Sequence, residues 1–351
     1  VTRFAWRQFR TQALIVAGIL IVLGIALALD GSHLVHLYDT TVAMCTQHND
    51  CSSVTQNFQA QAKWNHALDA LMLVAPALIG VFWGAPLVAR ELETRTNQLA
   101  WTQSVTRSHW FLVKAAVVGA ASVITAGLLS LMVTWWAAPY DRLIDSPYTV
   151  FDRRDVVPIA YALFAFALGV TFGTIIRRTL PAMAVTVAVF AAIRIEFGEW
   201  IRPRLFAPLH ATGVFTLPTA NSIFITPGGV GSNDWLISEE VVTSTGRVIG
   251  YNGGIGPNGS INFSSGPNGT VNFSGVGTCP NKFPSLRPAG STSDLQAATQ
   301  RCVESFHLHT VVTYLPSSRY WALQWSESGI FVFGAVVLLA LSLWWVRRRI
   351  A

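Results

Sequence analysis

The sequence predicts an all-α membrane protein of six transmembrane helices, opened by an amphipathic helix and carrying a β- and loop-rich extracellular domain between spans 5 and 6. Three observations predict it. Hydrophobic residues make up 52% of the 351-residue chain and charged residues 12%, against roughly 25% charged in an average soluble domain. The apolar residues gather into six blocks near 12–29, 67–89, 110–137, 156–176, 180–200 and 328–346, each about the ~20 residues a helix needs to cross a bilayer core. The basic residues fall in alternate connections, as a six-span topology requires.

Residues 1–11 read as a helix lying on the membrane surface. At helical spacing Arg3, Arg7 and Arg10 share one face, and Phe4, Ala5, Phe9 and Ala13 the other, with Trp6 at the border. That is the pattern of an interfacial amphipathic helix. The basic opening, the apolar stretch and Ala26-Leu27-Ala28 imitate a cleavable signal peptide; the expectation is a retained first span, with Val1 read from an alternative start codon. Residues 12–200 hold spans 1–5. Pro76 and Pro86 fall in span 2 and Pro181 opens span 5, where a missing backbone donor kinks or breaks a helix. Lys114, early in span 3, has a stem long enough to snorkel to the interface. Small residues in spans 3, 4 and 5 suit close helix packing.

Residues 201–327 form the large non-membrane segment, and 328–351 the last span and the C-terminal tail. The segment is rich in Gly, Pro, Asn, Ser and Thr, with β-branched runs at Val241-Val242 and Val311-Val312-Thr313. A ten-residue unit repeats: Gly256-Pro257-Asn258-Gly259-Ser260-Ile261-Asn262-Phe263, then Gly266-Pro267-Asn268-Gly269-Thr270-Val271-Asn272-Phe273. Asn-Gly is the strongest short hairpin signal, so each unit predicts a turn and a short strand.

Sidedness follows from charge. Arg3, Arg7, Arg10, Arg90, Arg95, Arg107, Lys114, Arg177, Arg178, Arg347, Arg348 and Arg349 are half of the 24 Lys and Arg, and all fall on one side. The short loops of the other side hold only Lys63, Arg142, Arg153 and Arg154. Positive residues in short loops stay inside, so both termini and the 90–107 loop are expected in the cytoplasm, at a bacterial plasma membrane. The net charge of +6 is a topology signal, and no nucleic-acid partner is expected. All four cysteines, Cys45, Cys51, Cys279 and Cys302, fall in segments expected outside, where disulfides persist. Cys45 with Cys51 and Cys279 with Cys302 is the simplest of three pairings.

The chain carries no phosphate-binding G-x-x-x-x-G-K-[ST] loop, no G-x-S-x-G elbow and no H-E-x-x-H zinc motif. No enzyme activity, metal or cofactor of its own is therefore expected. Gly228-Gly229-Val230-Gly231 lacks the strand-turn-helix context of a phosphate loop. His307 and His309 would share a face on a strand, but surface polar residues explain that pair as well as metal binding does. The charges at the outer end of the bundle are less easily dismissed. Arg194, Glu196 and Glu199 interrupt the apolar run of span 5, and Asp69 and Glu327 open spans 2 and 6 at the same level. Arg194 lies ~20 Å into a ~30 Å core, where an unpaired charge costs about 2.5 kcal/mol or more. These five residues form either a structural ion-pair ring or the lining of an outer gate.

The segment 90–107 is polar, of helix length, and held between spans 2 and 3. Leu92 and Leu99 fall on one face of such a helix. Arg90, Glu91, Glu93, Arg95 and Arg107 offer charge to a soluble partner, and Leu92, Leu99 and Trp101 an anchor. It resembles the first cytoplasmic loop of type 2 ABC exporter permeases, particularly the actinobacterial branch, in which an acidic residue, a Gly-Thr pair and a Val-Ser/Thr-Arg ending recur. Glu91 and Glu93, Arg95-Thr96 and Val105-Thr106-Arg107 stand in those places, with Arg95 where the family usually has Gly. Trp6-Arg7-Gln8-Phe9-Arg10 and Tyr314-Leu315-Pro316-Ser317-Ser318-Arg319-Tyr320-Trp321 look like the same branch, so the likeness spans 1–200 and 310–346.

The resemblance implies a permease subunit whose 90–107 coupling helix seats in a separate ABC ATPase, braced by the N-terminal helix. It implies two facing six-span subunits, here a homodimer, with spans 2 and 5 lining the path. ATP and Mg bind the ATPase, whose closure flips the permeases from inward to outward access. The substrate expected is an amphiphile (drug, peptide antibiotic or lipid) moved outward from the cytoplasm or the inner leaflet. The alternative from another class is a membrane-anchored sensor or binding module that uses the extracellular domain without transport.

Overall fold

The computed structural model describes residues 2–48, 64–94, 106–141, 147–214, 230–231, 233–246, 248–251, 264–265, 271–273, 277–278 and 305–349. Among them, six helical stretches are long and apolar enough to cross a membrane: Phe9–Thr40, Ala67–Glu93, Arg107–Ala138, Val157–Ile176, Thr179–Arg204 and Ser317–Arg348. They are spans 1 to 6 below. The chain divides into two compact units, Val1–Arg202 with Tyr320–Ala351, and Pro203–Arg319.

Span 1 belongs to one continuous helix, Thr2–His48. The surface helix expected at 1–11 and the apolar block at 12–29 run together, because no proline interrupts the stretch. At 1.5 Å per residue the helix is about 70 Å long, roughly twice the bilayer core. Phe9 is nonetheless buried, edge-on to Trp83 of span 2 at 5.0 Å between centroids. Farther along, Trp136 of span 3 donates its indole N–H to Asp30 (3.1 Å) within a cluster of Leu27, Leu34, Leu129 and Val133.

Span 2 is built in three pieces: an α-helix Trp64–Ile79, a π turn Gly80–Gly84 and an α-helix Ala85–Glu93. Pro86 explains the break. It has no N–H for the carbonyl of Phe82, and the wider turn lets the Ala85 N–H bond to the Gly80 carbonyl instead. Pro76 sits inside the first piece without ending it.

Span 4 is the most deeply buried, packed against spans 2, 3, 5 and 6. Its closest neighbour is the π turn. A Cβ on Gly80 would lie 2.6 Å from the Ala165 carbonyl oxygen, and one on Gly84 2.5 Å from that of Phe166. A Cβ on Gly169 would lie 2.3 Å from the Gly80 carbonyl oxygen, and one on Gly173 2.5 Å from that of Ala85. Two G-x-x-x-G stretches, Gly80–Gly84 and Gly169–Gly173, thus bring two backbones together, as small residues do between helices in lipid. On another face of span 4, Thr171 donates to its own Ala167 carbonyl (2.8 Å) and lies 3.2 Å from the Leu338 carbonyl of span 6. Ser342 of span 6 donates to the Thr171 hydroxyl at 3.0 Å.

Two readings of the sequence change in this unit. Lys114 does not snorkel out: it is buried and ion-paired with Glu91. Span 6 starts at Tyr320, ahead of the apolar block at 328, because Gln324 and Glu327 are carried into the bundle with polar partners.

The second unit contains an antiparallel sheet in the order β1-β7-β2-β3. Its strands are β1 (Leu209–Val214), β2 (Trp235–Val242), β3 (Val248–Tyr251) and β7 (His309–Leu315). The β-branched runs at 241–242 and 311–313 lie in β2 and β7, with Val241 paired to Thr310. Asp234 ties the sheet's ends, accepting from the backbone N–H groups of Gly231 (2.9 Å) and Ser317 (2.8 Å). A smaller antiparallel ladder joins β4 (Ser264–Ser265), β5 (Val271–Phe273) and β6 (Gly277–Thr278). β5 is the strand expected in the second repeat, with Ser265 paired to Val271; the Pro-Asn-Gly residues expected to turn lie outside the described residues. His307 lies in the turn before β7 at φ 49, so only His309 is on the strand and the two do not share a face.

The glycine contact generates a prediction. Overpacking a tight interface costs about 1–3 kcal/mol, so Gly169→Val should lower the melting temperature of the detergent-purified chain by several degrees. Gly18→Val, where a Cβ meets nothing within 4 Å, should leave it unchanged. Equal melting of the two variants would show that spans 2 and 4 do not depend on backbone contact.

Candidate functional site

Polar side chains concentrate at the two ends of the bundle. At the end holding both termini, the last turn of span 2 is clamped on two sides. Glu91 forms an ion pair with Lys114 of span 3, at side-chain exposures of 12% and 5%. Lys114 also sits 5.1 Å from the centroid of the Trp110 ring. A cation this far into an apolar helix needs such a partner. Glu93, one residue past Leu92, points toward span 5. Its carboxylate accepts from the Thr179 backbone N–H (3.0 Å) and the Thr179 hydroxyl (2.7 Å). A carboxylate at a helix N-terminus satisfies a donor the helix cannot and opposes its dipole.

The tight link that presents Thr179 depends on Arg177, which closes span 4 in the left-handed conformation at φ 59 and donates its N–H to Gly173 (3.2 Å). Thr106 begins span 3, its carbonyl accepting from the Trp110 N–H at 3.0 Å. Arg347 near the C-terminus donates to Ser108 at 2.8 Å.

The sequence predicts a helix over 90–107. Residues 90–93 continue span 2, Thr94 ends it, and Arg107 is the first residue of the span 3 helix; 95–105 lie outside the described residues. Arg90 is exposed and Leu92 packs beside Phe9, Trp83 and Trp110. Arg95, Leu99 and Trp101 lie outside the described residues. So do Cys51, Cys279 and Cys302, and of Cys45 only the backbone, within the first helix, is described.

At the opposite end a continuous chain of polar contacts crosses five segments. Asp69 of span 2 accepts from Arg153 at 2.9 Å. Arg153 lies 3.8 Å from Asp152, which accepts from Arg194 of span 5 at 3.1 Å. The Arg194 guanidinium covers the Tyr161 ring of span 4, 3.7 Å from its centroid. The Tyr161 hydroxyl donates to Glu327 of span 6, which is fully buried. Arg202 grips both Glu327 oxygens at 2.9 Å and donates to the Tyr161 hydroxyl at 3.0 Å.

Beside it, Gln324 uses its whole side chain. Its oxygen accepts from the Val157 N–H (3.1 Å), and its amide donates to the Phe151 carbonyl (2.9 Å) and the Tyr320 hydroxyl (3.1 Å). Tyr320 in turn donates to Asp155 at 2.5 Å. Ser130 of span 3 donates to the Asp155 carbonyl at 2.9 Å, so the segment 147–156 is held from spans 2, 3, 5 and 6.

Three of the five outer charges singled out in the sequence, Asp69, Arg194 and Glu327, belong to this network. Glu196 and Glu199 are exposed and stand outside it. Helix geometry explains the split. In an unbroken α-helix Arg202 would sit about 80° round from Arg194. The π turn Phe197–Ile201 advances less per residue and takes up most of that angle, aligning the two arginines and leaving the glutamates on another face. Asp152, Arg153, Tyr161 and Gln324 were missed. The acidic residues of Asp152-Arg153-Arg154-Asp155 were the available signal, since paired signs in a short link between spans suggest internal ion pairs.

Removing one partner of a buried ion pair costs about 3–5 kcal/mol, while replacing both with apolar groups is close to neutral. Glu327→Leu and Arg202→Met should each lower thermal stability in lipid nanodiscs, and the double variant should recover most of the loss. Glu196→Gln should do nothing. Additive losses in the double variant would show that the two residues act separately.

Comparison with curated proteins and with solved structures gave no match. Residues 17–202 match the family described as ABC-2 membrane transporter related. The match covers spans 1 to 5 without the N-terminal turns, and includes the span 2 clamp and the Asp69–Arg153–Asp152–Arg194 contacts. More than half of the chain is included, and six membrane-crossing helices accompany it. The chain therefore belongs to the ABC-2 membrane transporter related family, as the multi-pass membrane permease of an ABC transporter whose ATPase is a separate subunit.

Proposed function

We propose that this permease is an exporter: a homodimer, driven by two copies of a separate ATPase that binds ATP and Mg, moving an amphiphilic drug, peptide antibiotic or lipid out of the cell. Both termini and the 94–106 connection face the cytoplasm, because the Arg-rich turns lie at that end. The Pro203–Arg319 unit then lies outside, where Cys45 pairs with Cys51 and Cys279 with Cys302. The observation that carries the reading is the double clamp on the last turn of span 2. Glu91 ties it to span 3 and Glu93 to span 5, so a push on the adjoining connection reaches three spans at once. Rigid-body movement of that kind is how packed helices transmit a switch. The ion-pair chain at the far end would act as the outer gate, opening as spans 2, 5 and 6 part.

Two measurements test this. Single cysteines at Thr102 and Ser232 in a cysteine-free background should differ toward an impermeant thiol reagent on intact cells, with Ser232 labelled and Thr102 protected. Equal labelling would end the assignment of sides. Separately, Trp101→Ala should weaken co-purification with the ATPase, since a buried aromatic is a common hot spot worth about 2 kcal/mol or more. Glu93→Gln should leave assembly intact but reduce stimulation of ATP hydrolysis by an amphiphilic test substrate. Parent-like behaviour of both variants would remove the coupling role from this end of span 2.

A further inference from the structure

A cavity of about 450 Å³ opens at the termini-bearing end of the bundle, between spans 1, 2 and 3. Its walls differ in chemistry. Phe9, Phe82, Trp83 and Val118 give it an apolar lining, and Phe82 is 56% exposed. Gln12, Arg90, Glu91 and Lys114 add a polar lining. The charges do not cancel. Lys114 is neutralised by Glu91, whereas Arg90 is exposed and forms no ion pair among the described residues. The adjoining stretch 95–105 contains no acidic residue. One positive charge is left over, on a guanidinium suited to bidentate contact with phosphate.

We propose that this cavity binds an anionic phospholipid, with its headgroup phosphate on Arg90 and Gln12 and an acyl chain along Phe82 and Val118. A soluble anion would leave the apolar wall unused, and a zwitterionic lipid would bring its own cation to a site already in positive excess. Basic pockets between membrane helices hold lipid headgroups by this combination. Because the lipid would bridge the N-terminal helix and the clamped turn of span 2, it would stabilise the same end of the bundle that carries Glu91 and Glu93. The inference goes beyond the transport reading: it involves spans 1 to 3, needs no assumption about direction or substrate, and is tested without transport.

The full chain, delipidated in neutral detergent, would be melted against increasing phosphatidylglycerol, phosphatidylcholine or glycerol phosphate. Phosphatidylglycerol should raise the melting temperature saturably, and the other two should not. Arg90→Gln should weaken the apparent affinity about tenfold, in line with loss of one charge-assisted contact. Gln12→Trp, which fills the mouth from span 1 with Arg90 intact, should do the same, and decides the matter should Arg90→Gln fail to fold. Arg348→Gln, an exposed cation at the same end outside the cavity, should keep the parent's response. Parent-like affinity in both cavity variants would overturn the proposal, as would an equal loss in Arg348→Gln or equal stabilisation by phosphatidylcholine. Full stabilisation by glycerol phosphate alone would overturn it in favour of a soluble anion.

Discussion

The bundle depends on the place where the backbones of spans 2 and 4 touch. In lipid, no hydrophobic effect drives one apolar helix against another, so association must come from close packing and polar contacts. Gly80, Gly84, Gly169 and Gly173 supply the first, since a Cβ at any of them would meet the facing backbone within 2.6 Å. The π turn belongs to the same solution. Pro86 forbids an ordinary helical bond at that level, and the wider turn both re-pairs the backbone and carries Gly80 and Gly84 onto span 4. Span 2 is therefore anchored near its middle on the most buried of the six spans.

Each end carries charge, and the two ends are held differently. At the far end Asp69 joins a chain of acids and bases running through Arg153, Asp152 and Arg194, while Tyr161 joins Arg194 to Glu327 and Arg202. Such a chain is cooperative, since separating any one pair exposes a charge to a medium that solvates it poorly. Partial opening is then disfavoured relative to either a closed network or one fully wetted. That is the behaviour expected of an element with two discrete arrangements, the kind on which switching relies.

Much of this was legible in the sequence. Six apolar blocks with alternating basic flanks gave six spans, and Asp69, Arg194 and Glu327 stood out because charge inside an apolar run needs a partner. The G-x-x-x-G stretches of spans 2 and 4 were equally visible, but nothing in one dimension says which two such stretches meet. Glu91 and Glu93 illustrate the limit from the other side. Their position in a polar, basic-flanked connection suggested outward-facing charge, whereas Lys114, over twenty positions away, turns Glu91 inward. The length of span 6 was underestimated for a related reason: Gln324 and Glu327 lower the local hydropathy, and only their partners in spans 4 and 5 show why a buried helix tolerates them.

The two links at the termini-bearing end are unequal, and the difference would order the events of the proposed transport cycle. Glu91 and Lys114 are largely withdrawn from water, so parting them would strand a cation inside the bundle. Glu93 and Thr179 meet at an exposed turn, where water replaces each broken hydrogen bond at little net cost. A force applied at Thr94 therefore reaches span 3 through a buried ion pair and span 5 through a weaker, exposed contact. Since the far end joins span 2 to span 5 through the Asp152 and Arg153 contacts, the termini-side ends of the two spans would be the first to part in the proposed cycle. On the transport reading proposed above, a path between spans 2 and 5 would open first at the termini-bearing end, with the far-end charges still paired. Shielding the Glu93 contact from water would strengthen it and raise the resistance to that step.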